Sequence, residues 1–180
     1  VGVLNADQAL YSDDFRSYER SFALLTQVVG RSGRGEYPGR AFIQTYTPEH
    51  SIIHYATAQD YPAFYQEEIA ARQLTLYPPF CSMVGIGFVG EQLSKVQDRA
   101  FQFAKEFRKK ARQDYPDLPF RVLGPSPGEV LKVAGRYRYK LVVKCRNDKK
   151  TREFFANMLQ WYYEKFRDVS IFIDMYYERM

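Results

Sequence analysis

The segment Gln27-Val-Val-Gly-Arg-Ser-Gly-Arg-Gly35 sets Arg31 and Arg34 three residues apart on a turn rich in glycine. That spacing suits chemistry on a phosphate. A guanidinium makes paired bonds to phosphate oxygens, keeps its charge at neutral pH, and stabilises the charge that spreads over a transferring γ-phosphoryl group. Gly30, Gly33, Gly35 and Gly39 let the backbone approach an anion closely. Supplied from a second domain, such an arginine also makes hydrolysis depend on domain closure. A basic, glycine-rich surface turn has the same composition, but Gln27 at its offset in Q-x-x-G-R-x-G-R favours the nucleotide reading.

Two further clusters carry charge. Gly135-Arg-Tyr-Arg-Tyr-Lys140 alternates cations with rings at the entrance to an expected strand, which puts Arg136, Arg138 and Lys140 on one face and Tyr137 and Tyr139 on the other. The cations can grip a phosphate backbone, and an exposed tyrosine can stack on an unpaired base. The alternative is that both tyrosines pack in the core and the cations are solvated. Arg146, Lys149, Lys150 and Arg152 sit before or within the first turn of an expected helix, whose free N–H groups favour an anion. A solvated, charged loop is the competing reading there.

The elements that must position these residues follow from periodicity. Val1, Val3 and Leu4 read as a buried strand already under way, so the chain is expected to be a fragment. Asp13 and Asp14 offer N-caps for a helix with apolar residues at 15, 18, 22, 25 and 29, stopping at Gly30. A strand over 41–46 follows, and the strand, helix, strand order suits a parallel sheet. Residues 49–74 read as helix interrupted near Pro62, before the break at Pro78 and Pro79. Beyond it, a strand with Val84, Ile86 and Phe88 precedes a long helix striped by Leu93, Val96, Ala100, Phe103, Phe107 and Ala111. Two strands come next, around 121–123 with 130–133 and over 137–145. A helix over 149–166 buries Phe155, Met158, Leu159, Tyr162 and Phe166, and a last strand covers 170–175. The order is βαββαβ, the ferredoxin-like or split βαβ pattern, which constrains architecture and not chemistry.

The formal net charge of +5 is unevenly spread over the 180 residues. Residues 1–80 hold 6 Arg and 9 acids (6 − 9 = −3), whereas residues 81–180 hold 20 Lys and Arg against 12 acids (20 − 12 = +8). The change beside Pro78 and Pro79 suggests two modules, the second suited to a polyanion. Cys81 and Cys145 have no neighbouring Cys or His, and read as reduced core residues rather than as metal ligands. No apolar run approaches the roughly 20 residues that cross a bilayer, so no membrane partner and a cytoplasmic, nucleoid-associated address are expected.

The Q-x-x-G-R-x-G-R run resembles motif VI of superfamily 2 helicases, and its surroundings resemble the primosomal protein N′ family of replication-restart helicases. The resemblance rests on Ala6-Asp-Gln-Ala-Leu-Tyr-Ser-Asp-Asp-Phe-Arg-Ser-Tyr-Glu-Arg20, on the Gln27 motif with Gln44-Thr-Tyr-Thr-Pro-Glu-His50, on Glu68-Ile-Ala-Ala-Arg72 with Tyr77-Pro-Pro-Phe80, and on Gly135-Arg-Tyr-Arg-Tyr-Lys140. It implies that residues 1–48 end a RecA-like second helicase lobe, that 49–80 form a helical linker, and that 81–180 form the basic ferredoxin-like C-terminal domain. Arg31 and Arg34 would then act as arginine fingers on ATP, Gln27 and Gly30 would help hold the nucleotide, and Asp7 would lie in the motif V region. A strand-end aspartate capping the next turn is an equal reading for Asp7.

The resemblance further implies an ATP-dependent 3′ to 5′ DNA helicase acting with Mg on branched and single-stranded DNA, with single-stranded DNA-binding protein and other primosome proteins as partners. The phosphate-binding G-x-x-x-x-G-K-[ST] loop, the Asp-Glu box and the zinc-binding cysteines of that family are absent from this sequence, so the chain alone is expected to be inactive and free of zinc. Two departures stand out. Ile173-Asp-Met-Tyr-Tyr177 replaces the usual I-D-V-D-P ending, and Asn5 stands where an acid is common. Outside the motor class, the alternatives are a nucleic-acid-binding or protein-docking module, and an RNA binder of ribosomal-protein type.

Overall fold

A computed structural model describes residues 1–12, 14–32 and 40–177. The chain forms two compact units, Val1–Thr75 and Leu76–Glu178.

In the first unit, β1 (Gly2–Val3) and β2 (Phe42–Ile43) pair in parallel. Around them lie α1 (Asp7–Leu10), α2 (Ser17–Ser32), α3 (Ser51–Ala58) and α4 (Tyr61–Thr75). The expected burial of the first residues fails: Val1 and Leu4 are 63% and 82% exposed, because β1 is two residues long and has a single strand neighbour. The core is built instead from the helices, with Leu10, Phe22, Leu25, Ile52, Ala56 and Phe64 buried together. Phe22 stacks on Phe64 with ring centroids 4.2 Å apart and planes 5° apart. The two helices expected as a linker over 49–80 therefore contribute directly to this core. They are separated by Gln59, whose left-handed φ of 55° ends α3, and Pro62 sits at the second residue of α4, where its missing N–H costs nothing.

The second unit contains β3 (Ser82–Gly90), α5 (Leu93–Asp114), β4 (Arg121–Val133), β5 (Arg136–Cys145), α6 (Lys149–Lys165) and β6 (Ser170–Asp174). The four strands make one antiparallel sheet in the order β4-β5-β3-β6. Thus the βαββαβ order holds, with one revision: the two short segments expected around 121–133 are a single strand with two irregularities in its pairing to β5. A two-residue turn links β4 to β5, with Ala134 and Gly135 both left-handed at φ 48° and 78°, as a tight hairpin requires.

The periodicity of α5 explains its place. Val96, Ala100, Phe103, Ala104 and Phe107 form a stripe with no exposed surface, and it packs with Val84, Ile86 and Phe88 of β3 and Leu141 and Val143 of β5. From α6 come Phe154, Phe155, Met158 and Tyr162. Phe154 was not expected in the core; it turns inward to meet Phe107 and Tyr115 at centroid distances of 4.8 and 4.7 Å. Asp148 caps α6 by accepting from the Thr151 N–H at 2.8 Å. Arg99 of α5 clamps Asp168, before β6, through two bonds of 3.1 and 2.9 Å, with its guanidinium 4.4 Å from the Phe166 ring centroid. Cys145 is buried, and the half-buried Cys81 thiol donates to the Leu76 carbonyl at 3.1 Å.

Phe101 and Phe103 test this packing from one helix, since Phe101 is 51% exposed and Phe103 is fully buried. In urea titrations Phe103→Ala is expected to cost about 3–5 kcal/mol, and Phe101→Ala to stay within about 0.5 kcal/mol of the parent.

Candidate nucleotide and nucleic-acid sites

The first candidate site lies at the end of α2. That helix does not stop at Gly30 as its glycine suggests; it runs to Ser32, whose hydroxyl donates to the Val29 carbonyl at 2.7 Å. Gly30 is therefore helical, where glycine is tolerated at a cost of about 1 kcal/mol. The consequence for the site is geometric. Gln27 and Arg31 are four residues apart, so they project one above the other from one side of the last turns, and both are exposed. A Cβ on Gly30 would meet the Gln59 amide nitrogen at 3.3 Å, so this glycine lets Gln59 lie close against the helix. The carbonyl end of a helix repels an anion, so a phosphate here is drawn by guanidinium charge alone. Arg34 lies outside the described residues, as do Gly33, Gly35 and Gly39.

Asp7 belongs to a different arrangement. One carboxylate oxygen accepts from the Thr45 and Thr47 hydroxyls at 2.9 and 3.2 Å, and the other accepts from the Tyr46 N–H at 3.0 Å. The Tyr11 hydroxyl adds a bond to Thr47 at 3.1 Å. Asp7 thus pins the loop after β2 to the start of α1; it does not cap that helix, whose N-cap position is Ala6 with no side-chain bond. Partial desolvation pushes the carboxyl upward in pKa, but the bonds from Tyr46, Thr45 and Thr47 outweigh it and hold the group below its ordinary value. Thr45 and Thr47 lie in the stretch Gln44-Thr-Tyr-Thr-Pro-Glu-His50, whose alternating hydroxyls were the available signal.

The second candidate site is the open face of the four-stranded sheet. Both helices cover the other face, so alternation along β5 has a definite outcome. Tyr139 pairs with the fully buried Phe88, and both Tyr137 and Tyr139 pack toward the helices. Lys132 lies over the Tyr137 ring at 4.7 Å and reaches its hydroxyl at 3.3 Å. Hence the core alternative is the one these tyrosines adopt. Arg138 and Lys140 project to the open face, and the rings beside them come from elsewhere: Phe172 over Gly87, and Tyr177 over Gly85. The Gly-x-Gly spacing inside β3 was the sequence signal for those seats. Arg136 stands at the end of the sheet near Glu91, Lys95 and Asp168. Further along, the open face is closed by Tyr77, whose ring centroid is 3.3 Å from the Lys144 ammonium. Burial of Lys144 lowers its pKa, as burial raises that of the Cys81 thiol nearby.

The third cluster is largely self-satisfied. Lys149 faces Glu153 at 3.9 Å, Lys150 faces Asp117 at 3.7 Å, and Arg152 donates to the Asn147 side chain at 3.1 Å. The anion at the start of α6 is already present as the Asp148 carboxylate. Arg146 is exposed just before it. Among the described residues, no group of three or more His, Cys, Asp or Glu side chains is arranged to hold a metal, and no helix is long and apolar enough to cross a membrane.

Comparison with known proteins places the chain in one family. Residues 73–176 match the family model described as the primosomal protein N C-terminal domain, and the chain belongs to that family of PriA replication-restart proteins. It is 37% identical to the replication restart protein PriA of Bacillus subtilis over 177 residues, which is 97% of this chain and 21% of that protein. Against the PriA of Chlamydia muridarum the identity is 40% over 145 residues, 81% of this chain and 19% of that protein. For Synechocystis the figures are 39%, 80% and 17%. The chain spans about a fifth of the length of these curated relatives.

The role of Asp7 as an anchor has a pH signature. Its carboxyl is held low in the folded chain, so its contribution to stability is full above the ordinary carboxylate value of 3.8 and is lost as pH falls through the lowered folded value. Thermal melts should therefore show Asp7→Asn destabilised at pH 6, with the gap to the parent narrowing below about pH 4. A gap that persists unchanged at acid pH would remove the charge from the explanation.

Proposed function

We propose that the chain serves an ATP-dependent 3′ to 5′ DNA helicase that assembles the primosome at stalled forks. In this reading the first unit contributes the end of a RecA-like second motor lobe and the second unit is a ferredoxin-like domain that meets DNA. The observation that carries it is the shared exposed side of Gln27 and Arg31 at the end of α2, in a chain of this family. Arg31 and Arg34 reach the γ-phosphate of an ATP held with Mg chiefly by another motor domain, and Gln27 with Gly30 helps to position it. Asp7 acts at one remove, by fixing the loop after β2.

Support for the DNA-facing half comes from its charge, +8 over residues 81–180, and from the placement of Arg138 and Lys140 on an uncovered sheet face. Branched and single-stranded DNA, single-stranded DNA-binding protein and other primosome proteins are the partners of this reading, in the cytoplasm at the nucleoid. Zinc belongs to other parts of such a protein. The boundaries proposed for the modules are 1–48, 49–80 and 81–180, with the middle segment packed as described above.

Arg34→Ala in the full-length protein decides between motor and binding module. DNA-stimulated ATP hydrolysis is expected to fall about a thousandfold or more, while fork-DNA affinity measured at two salt concentrations stays nearly constant. Loss of affinity with hydrolysis intact would make the turn a phosphate-backbone grip instead. The isolated chain is expected to show no ATPase activity in the same assay.

A further inference from the structure

The open face of the second unit has a more specific construction than a basic patch. Strand pairing sets Lys140, Gly87 and Phe172 side by side on three adjacent strands, with Arg138, Val89 and Ser170 as the next row on the same face. A Cβ at Gly87 would collide with the tip of the Phe172 ring, so the absence of a side chain there is what lets the ring settle over the strand. Phe172 is nevertheless 56% exposed. Tyr177 occupies the neighbouring seat over Gly85. Together these groups border a groove of about 390 Å³, a size that admits a ring system.

We infer that this groove takes an unpaired nucleotide, with its base stacked on Phe172 and its phosphates on Lys140 and Arg138. The inference rests on the reading of this unit as a DNA-contacting domain, and names what part of the DNA it contacts. Glu129 and Asp174 also line the groove, and they argue for a base over an acidic peptide. A carboxylate-rich segment would be repelled by both, whereas a base presents N–H donors to them. One Asp174 oxygen already accepts from the Tyr176 N–H at 3.0 Å, so Glu129 and the second Asp174 oxygen are the acceptors available to such donors. Duplex DNA does not fit the arrangement, since its bases are stacked on one another and a ring on a sheet face has no access to them.

The test uses the chain with an oligothymidylate of about 15 nucleotides and an abasic oligonucleotide of equal length. Stacking predicts tighter binding of the oligothymidylate. Phe172→Ala should weaken that binding roughly 5- to 150-fold without changing its salt dependence, and should leave the abasic affinity unchanged. Lys140→Ala should instead reduce the slope of log affinity against log salt by about 0.7. Because truncation at Phe172 removes a packed ring, Phe172→Trp serves as the second variant. It should keep the affinity, and its emission should be quenched by oligothymidylate and not by the abasic strand, against the background of Trp161 on α6. Equal affinity for the two oligonucleotides would overturn the stacking while leaving DNA contact in place. If neither oligonucleotide binds, the DNA reading and this inference fall together. Quenching of the F172W chain by an acidic peptide but not by oligothymidylate would assign the face to a protein partner and overturn the proposal.

Discussion

Everything in the second unit depends on β3 being paired along both edges while its two faces meet different environments. One face presents Val84, Ile86 and Phe88 to α5 and α6, and all three are buried to within 1%. Between them, Gly85 and Gly87 leave the middle of the other face, from Met83 to Val89, without side chains from β3 itself. Glycine inside a strand is weakening, through backbone entropy and the missing packing. Here the loss is offset because neighbouring strands supply the cover, with Phe172 from β6 and Tyr177 just beyond it. A central strand with alanine at these positions would push both rings off the sheet. The groove, its cations and its rings follow from that single choice of residue.

How far the sequence discloses this differs between elements. The stripe on α5 is legible because a long helix with one buried side imposes a 3,4 spacing that few other structures share. The same holds for the βαββαβ order, since each switch of period marks an element. The first unit is less legible for a physical reason. Val1, Leu4 and Phe42 are apolar and mostly exposed, so hydrophobicity there does not report burial within this chain. Gly30 misleads in the other direction, because a glycine near a helix end normally marks its stop, and Ser32 extends the helix past it. For Tyr137 and Tyr139, alternation shows that rings and cations part company. It does not show which face the helices cover, and that is what decides which rings can meet a ligand.

Charge behaves differently from packing in this molecule. The basic residues near the start of α6 are spread among surface pairs with Glu153, Asp117 and Asn147, and such exposed pairs contribute about 0–1 kcal/mol. They add to the field of the unit without defining a site. Lys140 has the same formal charge but stands in register with an exposed ring across a glycine, with Arg138 one row along on the same face, so their positions carry information that a count of charges does not. Composition gives the unit a net positive charge; strand register places two of its cations beside an exposed ring.

In the first unit the corresponding question is what keeps Gln27 and Arg31 pointed in one direction. Among the described residues, nothing in the last turn of α2 holds either side chain, and both are exposed there. The restraint acts earlier on the helix. Glu19, in the first turn, is held by Arg72 of α4 at 2.8 Å, and Arg72 is itself bound by Glu68 at 2.7 Å. One turn further, Phe22 is stacked on Phe64. A rigid helix anchored at one end transmits that orientation to the other, over roughly 1.5 Å per residue of rise. The helix end that bears Gln27 and Arg31 is therefore aimed by α4, a helix that the motif itself does not reveal. The resemblance in Glu68-Ile-Ala-Ala-Arg72 acquires a physical meaning from this: its charged ends are the bolt between the two helices.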